Sequence, residues 1–190
     1  MYPFKIYTAE NAPPPSDDML NTIGGMLGFI PNVFAVIAES PSALKAFTQL
    51  NQLFADSNFD ATSRELIQIA ASIENQCAYC VAGHTAFSQM QNVPDDIIDA
   101  IRNDLPIANA KLEALNRFTR VLVHKRGSVS PDEVHQFLDA GYTPAQVIDV
   151  ILGICVKTFS NLTNNVVGIP LDSEFSPHAW HAEDKHRTVG

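Results

Sequence analysis

Cysteine is scarce in this 190-residue chain, which holds only Cys77, Cys80 and Cys155. Three thiols do not build the disulfide framework of a secreted scaffold, and two of them in a C-x-x-C read as redox chemistry in a reducing compartment. Positive charge is scarce too. Twelve Lys and Arg face 21 Asp and Glu, the net charge is −9, and no basic cluster exceeds Lys125-Arg126. Binding a phosphate backbone needs a positive footprint, so no nucleic-acid partner is expected. Charged residues make up only 17% of the chain against 46% hydrophobic, so part of the surface is expected to be buried between subunits of a homo-oligomer. No stretch approaches eighteen consecutive apolar residues, and MYPFKIYTAENAPPPSDD at the start has one Lys and no apolar run. Neither a membrane span nor a signal peptide is expected, and a cytoplasmic location follows as an expectation. A Gly-rich phosphate loop, a nucleophile elbow and H-E-x-x-H are all missing. Nucleotide-dependent, serine-hydrolase and zincin chemistry therefore have no support, and no cofactor is expected.

What remains reads as helices. Residues 1–15, ending in Pro13-Pro14-Pro15, form an extended arm, and residues 16–172 a single domain followed by a tail, 173–190. Ser16 opens a helix with Met19, Leu20, Ile23 and Leu27 at spacings of three and four. Ser40-Pro41, Ser130-Pro131-Asp132-Glu133 and Thr143-Pro144-Ala145-Gln146 are helix starts with proline at the first position, the second a capping box and the third repeating its device. Residues 108–126 are amphipathic, with Leu112, Leu115, Phe118 and Leu122 on one side. The helix over about 144–160 is apolar on nearly every side, which predicts a helix buried all round, either the core helix or one shared with a partner subunit. Cys155 within it reads as a small hydrophobe. Phe29, beside Gly28 and Pro31, is a candidate pocket wall. In the tail, His178, His181 and His186 are spaced for a metal, but the run is terminal and polar, and no metal site is assigned; Trp180 reads as the tail's anchor.

The chemistry concentrates in Glu65 to His84, ELIQIAASIENQCAYCVAGH. A helix starting near Gln76 or Cys77 puts both sulfurs in its first turn, where free N–H groups and the dipole favour an anion. Cys80 and His84 are four apart and share a face, so the imidazole is expected to reach the Cys80 sulfur directly or through one water. Twelve residues of unbroken helix would carry Glu65 roughly 18 Å from Cys77. Glu74-Asn75-Gln76 interrupts the apolar run, however, and a reversal there brings Glu65 level with His84 on an antiparallel hairpin. The alternative is a T-x-x-E capping box of Thr62 and Glu65. The dipole favours Cys77 as the activated thiol and the histidine favours Cys80; a base one turn away removes a proton, which a dipole alone does not, so Cys80 is preferred. A zinc site completed by Cys155 or a carboxylate, and a structural disulfide closing a very short loop, are the other readings of the pair.

Glu65, Cys77-Ala78-Tyr79-Cys80 and His84 resemble the E-x11-C-x-x-C-x3-H signature of the alkylhydroperoxidase D-like branch of the carboxymuconolactone decarboxylase superfamily, and Leu27–Phe47 and Ser160–Asp172 read like members too. The resemblance implies an all-α, compact multi-helix fold, a helical hairpin carrying the CxxC, and a symmetric oligomer. It implies a thiol peroxidase that reduces a hydroperoxide substrate and is recycled by a dithiol or protein reductant. Cys80 would attack, Cys77 resolve, and Glu65 and His84 relay protons. Some members have a second histidine just before the second cysteine; Tyr79 stands there here, and a phenol with a pKa near 10 does not relay protons at neutral pH. Tyr79 is instead a candidate substrate contact. Two alternatives keep the fold: a protein or lipoyl disulfide reductase or redox sensor, and a non-catalytic oligomeric binding module. The superfamily's lactone decarboxylases work without the cysteine pair.

Overall fold

A computed structural model describes residues 4–181. Among the described residues the architecture is all-helical, with nine α-helices, no strand and a single 3₁₀ turn at Ser176–His178. The helices are α1 (Ser16–Leu27), α2 (Asn32–Ile37), α3 (Pro41–Ala55), α4 (Ala61–Glu74), α5 (Ala78–Met90), α6 (Asp95–Arg102), α7 (Ala110–His124), α8 (Pro131–Asp139) and α9 (Pro144–Val167). The start signals operate as chemistry predicts. Ser40 accepts from Ala43 N, and Ser130 and Thr143 each close a reciprocal capping box with Glu133 and Gln146.

The core helix is α4, not α9. Every residue from Glu65 to Ile73 is buried, with α5, α6, α7 and α9 packed around it. Small residues on α4 (Ala70, Ala71, Ser72) let neighbours approach closely, and Gly153 of α9 meets it where an added Cβ would lie 2.9 Å from Ile67 and 2.6 Å from Phe54. Within one chain α9 is therefore not buried all round, which corrects the core-helix alternative for it. One face packs inward, while Ile148, Ile151, Leu162 and Val166 are exposed, and Cys155 lies exposed rather than in the core. These positions recur at intervals of three, four and seven, so they form one apolar stripe.

The inward face is not wholly apolar. Lys157, Ser160, Asn161 and Asn164, at i, i+3, i+4 and i+7, form a buried polar stripe inside an apolar helix. Among the described residues α9 is long and apolar enough by length and composition to cross a membrane, a test that an integral helix of a globular domain also passes. Its polar stripe packs against α4 and α5, as in a helix integral to this domain.

The first and last described segments close around the core. Tyr7 pairs with Ala35 O and Glu39. Trp180 is buried and donates to Arg102 O, anchoring the tail. Phe175 lies at the hub of an aromatic cluster, edge-on to Phe29, Tyr79 and Phe87 at centroid distances of 5.6, 5.9 and 5.4 Å. Among the described residues no group of His, Cys, Asp and Glu could hold a metal; His186 lies outside them.

Candidate functional site

The site is built on a reversal between α4 and α5. Gln76 adopts a left-handed φ of 54°, Cys77 N donates to Ser72 O and Gln76 N to Ile73 O. This pair of bonds is the Schellman ending, here with glutamine in the position usually held by glycine. The turn is clamped from α9: Asn161 accepts from the Asn75 side chain at 2.9 Å, and Asn165 donates to Asn75 O at 3.0 Å. Cys77 becomes the N-cap of α5 and Cys80 falls in its first turn.

The reversal brings Glu65 to His84, with Oε2 at 2.8 Å from Nδ1. Gln91 Nε2 donates to the other carboxylate oxygen at 2.8 Å. Glu65 takes no part in a capping box, because Asp60 caps α4 by accepting from Ser63 N at 2.7 Å. Thr62 and Glu65 thus matched a pattern whose job a residue two places upstream performs.

The far side of the imidazole holds the main surprise. His84 Nε2 does not meet the cysteine sulfur; it accepts from Lys157 Nζ at 2.5 Å. With Nδ1–H donating to the carboxylate and Nε2 accepting from an ammonium, the ring is neutral. Burial pushes its pKa down, and the Lys157 charge pushes the same way against the opposing pull of Glu65. Lys157 itself is only 4% exposed. Desolvation lowers its pKa, while Cys80, Cys77 and Glu65 raise it. Sequence reading missed this residue. The available signal was a lone cation in the run ILGICVKTFS, where an unpaired charge would be costly to bury.

Cys77 is 0% and Cys80 4% exposed, and both are free thiols. Cys80 Sγ lies 3.9 Å from Ser160 Oγ. The two sulfurs share one proton between them. Cys77 keeps it, its thiol pushed up by donation toward Cys80 and by burial. Cys80 is lowered to about 6, first by that hydrogen bond and then, against desolvation, by the Lys157 charge and by Asn161 and Ser160. The groups that lower Cys80 are thus neither the dipole nor the histidine but the thiol donor at the N-cap and a lysine from α9.

A chamber of about 60 Å³ opens on Cys80, lined also by Phe34, Phe47, Tyr79, His84, Lys157 and other groups. Tyr79 contacts it, but the phenol is turned to structure. Its hydroxyl donates to Asp172 at 2.5 Å and accepts from Val33 N at 3.1 Å, while Asp172 also accepts from Asn32 N. Burial and this acceptor raise its pKa, so it holds its proton. Phe29 is not among the residues around the chamber; it stands one ring behind, against Phe175. A larger cavity of about 600 Å³ between α1, α3, α4 and α5 shares Phe34, Asn51, His84 and Phe87 with the chamber.

Residues 41–121 match the model of the carboxymuconolactone decarboxylase family. The chain is 27% identical over 119 residues, 60% of its length and 78% of the relative's, to the uncharacterized protein YdfG of Bacillus subtilis (strain 168). Its fold is similar to that of an uncharacterized peroxidase-related protein with an alkylhydroperoxidase AhpD core from Ralstonia eutropha JMP134. The TM-score is 0.79 at 22% identity, over 92% of this chain and 96% of that one. It is also similar to a cysteine-to-alanine variant of the debrominase Bmp8 in complex with 2,3,4-tribromopyrrole, with a TM-score of 0.75 at 15% identity over 87% of this chain and 89% of that one. The family match thus spans α3 to α7, and along nearly its whole length the chain has an AhpD-like fold.

Proposed function

We propose that the protein is a thiol-dependent peroxidase. The observation that carries this reading is the chain of groups Glu65, His84 and Lys157, which reaches the chamber beside a sulfur lowered to about 6. The Cys80 thiolate attacks the outer oxygen of R–O–OH; an S–O bond forms, the O–O bond breaks, and sulfur is oxidised to sulfenic acid. The departing RO⁻ takes a proton from the Lys157 ammonium and leaves as ROH. Lys157 recovers its proton from the two released by the dithiol that closes the cycle, the other returning to Cys77, while His84, with Nδ1–H on Glu65, holds the amine in place. The Cys77 thiol then condenses with the sulfenic acid, its proton leaving with the hydroxyl as water, and the resulting disulfide is reduced by an external dithiol.

Burial of both sulfurs works against the protein disulfide reductase alternative, because a folded partner's disulfide does not fit a chamber of about 60 Å³. A slender dithiol arm remains a suitable reductant. We place the work in a homo-oligomer, on the strength of the exposed stripe of α9. The decisive test is peroxide consumption driven by excess dithiol. Loss in Cys80→Ser with accumulation of a stable sulfenic acid in Cys77→Ser supports the cycle. No turnover in the wild type with hydrogen peroxide or organic hydroperoxides removes it.

A further inference from the structure

The chamber on Cys80 has room for about two water-sized groups, taking roughly 30 Å³ for each. It therefore admits a reacting head group and nothing larger. The body of any substantial substrate must lie next door, and the adjoining space is the cavity of about 600 Å³ across the shared wall of Phe34, Asn51, His84 and Phe87. Its far walls are Met19, Ile23, Met26, Leu27 and Phe54, apolar side chains of which the two methionines are soft enough to fit varied shapes.

Two polar side chains on this cavity have hydrogen-bonding capacity to spare. Gln68 is 6% exposed, and its Oε1 has no hydrogen-bond partner. A buried amide oxygen left unpaired is costly, and in a cavity wall it marks where a ligand's polar group would be received. One turn earlier on the same face of α4, the half-buried Arg64 donates through Nη1 to Phe59 O and makes no ion pair among the described residues. Its remaining N–H groups point to an acceptor, and a guanidinium takes a carboxyl group as a fork. A carboxyl group answers both residues in either protonation state. As the acid it donates O–H to Gln68 and accepts from Arg64; as the carboxylate it accepts from Arg64 and from the Gln68 amide N–H after rotation of the amide.

We propose that this cavity binds an apolar carboxylic acid, with its carboxyl on Arg64 and Gln68 and its chain or ring against the methionine and phenylalanine wall. Where that acid carries a hydroperoxide, it is the substrate, a step that rests on the peroxidase reading above.

Isothermal titration of the full chain with dodecanoate, dodecanol and dodecanamide tests the site without requiring turnover. Dodecanoate is expected to bind at least tenfold more tightly than the alcohol. Arg64→Gln and Gln68→Leu should each reduce that affinity about tenfold, with folding verified by circular dichroism. Absence of dodecanoate binding, equal affinity for the alcohol or the amide, or indifference to both substitutions overturns the assignment. A parallel comparison of kcat/KM for a long-chain fatty-acid hydroperoxide and for hydrogen peroxide tests the substrate role. Turnover of hydrogen peroxide without dodecanoate binding leaves the peroxidase and removes this site. Dodecanoate binding without any peroxide turnover does the reverse.

Discussion

Lys157 Nζ lies 2.5 Å from His84 Nε2, a contact that joins α9 to α5 across 73 residues of sequence. It changes what the histidine can do. An imidazole whose Nδ1–H is held by Glu65 and whose Nε2 is held by an ammonium has no lone pair left for a thiol. The lysine is then the group that faces the sulfur chemistry, and the histidine stands behind it as the connection to the Glu65 end.

Reactivity of Cys80 should follow its thiolate. A thiol lowered to about 6 is mostly ionised at pH 7, and ionisation is lost as pH falls through that value. Residue-resolved iodoacetamide labelling of Cys80 is expected to level off above pH 7 and to fall about tenfold per unit well below 6. Cys77, pushed upward, should label slowly throughout. A Cys80 profile centred near the ordinary thiol range would contradict the assignment.

Lys157→Met keeps much of the side-chain volume and removes the charge. Because that charge lowers the Cys80 pKa, its loss should move the labelling profile to higher pH by about one unit, with roughly fivefold slower labelling at pH 6. Peroxide turnover should fall further than labelling, since the proton donor to the leaving oxygen is lost as well. An unmoved profile means that Lys157 is only filling space.

Glu65→Gln retains the shape and removes the carboxylate charge. Glu65 raises the pKa of both His84 and Lys157, so its loss lets both fall further. Lys157 must be protonated to donate, and the alkaline limb of the pH–rate profile should therefore shift to lower pH. Turnover at the optimum is expected to drop about 10²-fold, the range of a general acid–base contribution. An alkaline limb that stays in place would disconnect the carboxylate from the lysine.

Gly153 and Gly25 should respond oppositely to alanine. At Gly153 the new Cβ would meet Phe54 at 2.6 and 2.7 Å and Ile67 at 2.9 Å, in the contact between α9 and α4. Overpacking there should destabilise the fold by about 1–3 kcal/mol. At Gly25, within α1, nothing lies within 4 Å, and alanine should stabilise by about 0.5–1 kcal/mol through helix propensity. Denaturant midpoints measure both.

Ile151→Glu and Leu162→Glu place charges in the exposed stripe of α9. If that stripe is covered by a second copy, light scattering should show smaller assemblies for both variants, and solubility of the dissociated chain should rise. Wild-type protein that already scatters as a monomer would leave the stripe as plain surface.

The sequence by itself determined the local parts of this protein. Helix starts at Ser40, Ser130 and Thr143, the reversal after Glu74, and the shared face of Cys80 and His84 all follow from interactions within a few residues, which spacing encodes. The α4 cap is local too, and of the two readings offered for Glu65 the capping box falls because Asp60 does that work. What tertiary structure alone decided are the encounters between distant segments. Asp172 accepts the Tyr79 hydroxyl hydrogen bond from 93 residues away, so that a side chain lining the chamber also fastens the segment after α9. Which of two apolar helices lies at the centre depends on the neighbours packed around each, so the more apolar α9 ends up half-exposed and α4 enclosed. Lys157 shows the same division. Its rarity as a cation in an apolar run could be seen along the chain, but its purpose could not, because a buried charge is explained only by the groups that surround it.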